Sequence, residues 1–125
     1  VFFCPHSRHS GLRREDVAGV PELEILAESE QAGAAILKAG RYRQFFITGH
    51  LEYDADTLAR EYFRDKEKGL EINLPVNYFP QDDPARIPRV TWRAHANLFY
   101  SNWLNFFVYQ ETPYDLEAIG RTPER

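Results

Sequence analysis

The chain has no methionine and a single cysteine, Cys4, among its 125 residues. One cysteine excludes an internal disulfide, and with it a scaffold stapled by bridges; a cytoplasmic location fits. There is no basic excess either. The net charge is −4 and the isoelectric point about 5.6, so no cationic surface recruits nucleic acid or an anionic membrane. The apolar runs are far too short to span a bilayer. No basic-then-apolar leader opens the chain, so no signal peptide is expected. What remains is ordinary for a globular domain, 43% hydrophobic and 27% charged. The aromatic content of 14% is less ordinary, because it gathers toward the C-terminus. That surplus, and an abrupt start on Val1-Phe2-Phe3-Cys4, suggest a piece of something larger.

The stretch from Arg43 to Asp54 organises the rest. Phe45 to Ile47 is a short run of strand-favouring residues, and Gly49 punctuates its end. His50 and Glu52 follow at once. Residues two apart in extended chain point the same way, so the Glu52 carboxylate can meet the His50 imidazole. Histidine exchanges protons near neutrality, and a carboxylate on its other nitrogen fixes the tautomer and stabilises the imidazolium. This is the base and orienter of a triad without its nucleophile. The plainer alternative is a pair of solvated polar residues.

Along the chain, Val1 to Cys4 reads as a buried strand, ended by the turn-forming Pro5 to Gly11. Cys4 serves there as a small buried hydrophobe, or as a nucleophile if a cleft stabilises its thiolate. His6, His9 and His50 lack the companions of a metal site, and none is expected. Leu12 to Val20 is a short helix or loop. Leu23 to Glu28, Ala34 to Ala39 and Phe45 to Thr48 are three strands joined by turns at Gln31-Ala32-Gly33 and Gly40-Arg41, an antiparallel meander or hairpin pair. Asp54 is expected to cap a helix of about four turns, with Leu58, Tyr62 and Phe63 inward and Gly69 as its C′ residue. On it, Arg64 is either a solvated partner of Glu61 or a fork for a substrate carboxylate. Glu71 to Arg89, with four prolines, is a long ordered loop; Asp82-Asp83 caps a turn there or binds a cation. Trp92 to Gln110 is the last helix. Its aromatic stripe is wide enough to cover a second surface, either another chain or a missing N-terminal region. The helix stops before Pro113, and Glu117 to Arg125 is a frayed tail.

Several stretches together resemble one family. They are Pro5-His6-Ser7-Arg8, Leu23 to Glu28, Thr48-Gly49-His50-Leu51-Glu52-Tyr53-Asp54, Asn77 to Pro84, and the run from Trp92 through Ser101-Asn102-Trp103 to Leu116. These resemble the homoserine O-acyltransferases of methionine biosynthesis, which carry succinyl or acetyl groups. The resemblance implies an α/β fold like the class I glutamine amidotransferases, flavodoxin-like and doubly wound, around a Cys-His-Glu site. It implies acyl transfer from acetyl-CoA or succinyl-CoA to the hydroxyl of L-homoserine through a cysteine thioester. It makes His50 and Glu52 the catalytic pair and Ser7 and Arg64 the substrate contacts, with no cofactor beyond the acyl-CoA co-substrate and a homodimer in the intact enzyme. Residues 1–116 then form the C-terminal portion of one acyltransferase domain, with 117–125 a tail. Cys4 does not match the family's nucleophile, which lies upstream, so this portion alone is expected to be inactive. A glutamine amidotransferase-type hydrolase fragment and an inert interaction remnant are the alternatives.

Overall fold

A computed structural model describes residues 1–40, 43–111, 115 and 117. The turn at Arg41, the stop at Pro113 and all of the tail but Glu117 lie outside these. The described chain is α/β: a three-stranded antiparallel sheet and a few helices.

The meander forms as the alternation of residues requires. Strand β1 (Leu23–Ser29), β2 (Gly33–Ala39) and β3 (Gln44–Ile47) pair in the order β1-β2-β3. Ile25 stands opposite Leu37, and Lys38 opposite Phe45. β2 is central and therefore the most enclosed, with Ala34 and Leu37 fully buried. Leu37, Ala34 and Val17 form a small core completed by Leu12, Leu23 and Ile25. Val17 comes from α1 (Arg14–Ala18), a single turn or so over one face of the sheet.

The second core is aromatic. It joins α2 (Thr57–Glu67) to the proline-rich loop and to Trp92, through Leu58, Ala59, Tyr62, Tyr78 and Phe79. Here the start of the helix differs from expectation. Asp54 does not cap it; Asp56 takes the N-cap position and makes no side-chain cap bond. The Tyr78 hydroxyl does that work from the loop. It accepts from the Ala59 amide, at the third helical position, at 3.2 Å and donates to the Ala55 carbonyl at 2.7 Å. The C-terminus is as the sequence requires. Gly69 has φ +73°, and the amides of Gly69 and Leu70 turn back to the carbonyls of Lys66 and Asp65 at 2.9 and 3.1 Å. These two bonds make a Schellman motif, which favours glycine. Phe63, expected inward, is 43% exposed. The helix buries Leu58 and Tyr62 as expected, with Ala59 rather than Phe63, because one core on one side covers a single narrow stripe.

The last helix, α3 (Arg93–Trp103), continues into a π-helical turn over Leu104–Tyr109, where the Gln110 amide reaches back to Asn105. Phe45 of β3 meets Phe99 and Phe107 edge-on, at 6.3 and 4.8 Å between ring centroids, and so ties the helix to the strand that leads into His50. Leu98, Phe106 and Tyr109 remain exposed.

The opening stretch is a correction. Val1 to Cys4 is not a buried strand: it has no regular structure, and Val1, Phe2 and Phe3 are exposed. A strand needs a neighbour to take its amides and carbonyls, and the described sheet does not extend to this segment. No helix among the described residues is long and apolar enough to cross a membrane.

Candidate active site

The loop after β3 is shaped by close packing. Thr48 closes the strand, its amide donating to the Ala35 carbonyl at 2.9 Å and its hydroxyl to that of Ala34 at 3.0 Å. Gly49 follows and is buried. A Cβ there would stand 2.5 Å from Cys4 Sγ and 2.9 Å from the His6 ring. Only glycine lets the loop press so closely on the N-terminal segment. The His50 amide then donates to the Pro5 carbonyl at 2.7 Å, which draws Pro5 to Arg8 alongside the loop.

His50 Nδ1 lies 2.8 Å from Glu52 Oε1. An ionised carboxylate only accepts, so Nδ1 carries the hydrogen, and in the neutral imidazole the lone pair is on Nε2. Both side chains reach solvent, Glu52 more than His50. The imidazole is also sandwiched from one side. The Tyr53 ring stacks on it at 4.2 Å between centroids and 15° between planes.

Tyr53 is the residue that links the site's parts, and composition gave no hint of it. Its hydroxyl lies 3.0 Å from both oxygens of Glu61. Its carbonyl accepts the Trp92 indole N–H at 3.1 Å. Burial and then the Glu61 carboxylate raise the pKa of its phenol above the ordinary value, with the Ser7 hydroxyl beside it pulling the other way. The phenol is therefore a protonated donor at neutral pH. Ser7 and Arg64 both face this neighbourhood. Arg64 is bonded to Asp65, whose carboxylate takes Nε at 2.7 Å and Nη2 at 2.9 Å, and the Glu61 carboxylate adds a weaker attraction. That replaces the expected Glu61 partner: at one turn's distance Glu61 is occupied by Tyr53. The Arg64 side chain is about half exposed, at 53%.

Cys4 is near but not activated. Burial is the main cause that pushes its thiol up to about 11; the Glu52 charge adds to this and the His50 amide opposes it. At neutral pH it is a thiol, not a thiolate. His6 lies beside it, its pKa lowered by burial and then by the charges of Arg8 and His50, and its Nδ1 is buried without a partner. Tyr100 of α3 shares the electrostatic neighbourhood of Glu52 and Cys4. Burial raises its pKa, and Glu52 and Cys4 contribute.

A cavity of about 640 Å³ opens behind this cluster. Phe3, Cys4, His6, Asn77 and Trp92 line it, whereas His50 and Glu52 do not. Among the described residues, no group of three or more His, Cys, Asp or Glu side chains is arranged to hold a metal ion. Asp82-Asp83 belongs to a helical turn beginning at Pro80, where the Asp83 amide returns to the Pro80 carbonyl at 3.2 Å.

The chain is similar over 120 residues, at 64% identity, to the homoserine O-acetyltransferase of Brevibacillus brevis; 96% of this chain and 39% of the relative are covered. The homoserine O-acetyltransferase of Acetivibrio thermocellus is 58% identical over 118 residues, 94% of this chain and 39% of the relative. That of Methanomassiliicoccus intestinalis is 54% identical over 122 residues, 98% of this chain and 39% of the relative. The chain thus spans about 39% of the length of these curated relatives. A family model described as homoserine O-succinyltransferase matches residues 1–114. The chain belongs to the homoserine O-succinyltransferase family.

Proposed function

We propose that this chain is the C-terminal portion of a homoserine O-acyltransferase, which moves an acetyl or succinyl group from acyl-CoA to the hydroxyl of L-homoserine. The observation that carries the reading is the His50–Glu52 contact at 2.8 Å on a strand-end loop, in a chain of this family. In this reading the intact enzyme has a doubly wound, glutamine amidotransferase-like fold, with residues 1–116 the C-terminal portion of its acyltransferase domain and 117–125 a tail.

In this proposal a cysteine outside this chain attacks the acyl-CoA thioester. Its sulfur takes the acyl group and CoA leaves as thiolate. His50 Nε2 then removes the proton of the homoserine hydroxyl as that oxygen attacks the enzyme thioester, and the cysteine thiolate leaves. Glu52 keeps the Nδ1–H tautomer and stabilises the imidazolium. Ser7 and Arg64 hold the amino-acid end of homoserine, Arg64 exchanging its exposed Asp65 pairing for the substrate carboxylate. Acyl-CoA enters as co-substrate and no cofactor takes part. The intact enzyme is a cytoplasmic homodimer, and the exposed apolar residues of the last helix suit contact with a second chain or with the upstream part.

Cys4 argues against a nucleophile within this chain, since a thiol pushed up to about 11 is a poor one at neutral pH. The test is acyl transfer to L-homoserine from each donor, by this chain alone and by this chain joined behind the N-terminal portion of the Brevibacillus brevis relative. Activity of the joined protein only is expected. Activity of the chain alone, or glutaminase activity without homoserine acylation, contradicts the proposal.

A further inference from the structure

We propose that Tyr53 is a positioning residue for the reaction, acting at both ends of the site through one side chain: its ring holds the His50 imidazole, and its hydroxyl holds the groups around Ser7 and Glu61. This rests on the acyltransferase reading above.

His50 has only two restraints on its side chain among the contacts seen, the Glu52 carboxylate at Nδ1 and the Tyr53 ring on its face. One hydrogen bond leaves an imidazole free to swing about the Nδ1···O axis. A nearly parallel ring at 4.2 Å removes that freedom. The Glu52 side chain is more exposed than buried, at 58%, so by itself it is a loose anchor. Tyr53 is the firmer one because it is fixed at three points. Its amide donates to the His50 carbonyl at 3.4 Å, its carbonyl accepts Trp92 from the aromatic core, and its hydroxyl is bonded to Glu61 of α2. The same hydroxyl lies beside Ser7. A base misplaced by an ångström loses rate steeply, whereas a substrate contact that loosens costs binding. The two ends of Tyr53 are therefore separable: the ring governs kcat and the hydroxyl governs KM for homoserine.

The experiment uses the full-length chimera with the Brevibacillus brevis N-terminal portion. Tyr53→Phe keeps the ring; kcat is expected within about 3-fold of the parent and KM for homoserine raised about 5-fold or more. Tyr53→Leu removes the ring, and kcat is expected to fall about 10-fold or more. A second readout guards against misfolding. The His50 ring-proton resonance is shifted upfield by the stacked ring in the parent and in Tyr53→Phe, and that shift is lost in Tyr53→Leu. Tyr53→Leu with parental kcat, or a parent without the ring-current shift, overturns the proposal. So do equal losses in kcat for both variants. His50→Ala runs alongside: if it keeps full activity, the acyltransferase reading itself fails. If His50→Ala is inactive while Tyr53→Leu matches the parent, only the role of Tyr53 fails.

Discussion

The hydroxyl of Tyr78 lies 2.7 Å from the carbonyl of Ala55 and 3.2 Å from the amide of Ala59, and so closes the first turn of α2 from 19 residues away. Glu61 and Arg64 ride on that helix, so the loop that carries Tyr78 sets where these two side chains stand. Tyr78→Phe removes at once the hydroxyl partner of a buried amide and of a part-buried carbonyl. A loss of about 1–3 kcal/mol is expected in denaturant unfolding, with the midpoint lowered and the slope unchanged.

Gly49→Ala tests the packing under His50. The added methyl meets Cys4 Sγ at 2.5 Å and the His6 ring at 2.9 Å, and overpacking of this kind costs about 1–3 kcal/mol. Cys4→Ala in the same protein clears one of the two obstacles. The double variant is expected to recover part of the loss, and strict additivity in the cycle would show that the clash is not with sulfur.

Cys4 itself predicts a pH dependence. Its folded pKa is raised, from the model-compound value of 9.0 to about 11, so folding retains a proton that the unfolded chain releases. The contribution to stability is full below about 9 and is lost as pH rises through about 11. Alkylation by iodoacetamide is expected to be slow at neutral pH and to rise across the same window. Rapid labelling at pH 7 would contradict the assignment of a half-buried thiol with a raised pKa.

His6 gives the opposite sign on the acid side. Burial lowers its pKa below the ordinary 6.5, so the unfolded chain takes up a proton that the folded one refuses. Stability is therefore present above about pH 6.5 and is lost as pH falls through the lowered folded value. Thermal unfolding followed from pH 7.5 to 5 is expected to show this decline, and His6→Gln to flatten it.

The meander was legible in the sequence because its signals are local: alternation in Leu23 to Glu28 and turn residues at Gln31 and Gly33. The end of α2 was legible for the same reason, since Gly69 needs only its own φ. Its start was not. Asp54 looked like a cap by residue type, but the group that takes the helix amide is a tyrosine in another segment. Val1 to Cys4 was misread because an apolar run does not say whether a neighbouring strand exists to pair with it. In the site, the spacing of His50 and Glu52 announced their contact. Of the two partners weighed for Arg64, Glu61 is not the one it bonds, because Tyr53 takes Glu61 across eight residues and Asp65 takes Arg64. Stacking of Tyr53 on His50 depends on a tight turn, which periodicity does not report.

The most direct test of the central claim is the rate of acyl transfer to L-homoserine by the full-length chimera with His50→Ala, measured against the parent with both acetyl-CoA and succinyl-CoA. Loss of a general base typically costs about 10²–10⁴-fold. The account predicts a fall of that size in transfer while the acyl-enzyme still forms. Near-parental transfer by the His50→Ala protein would contradict it.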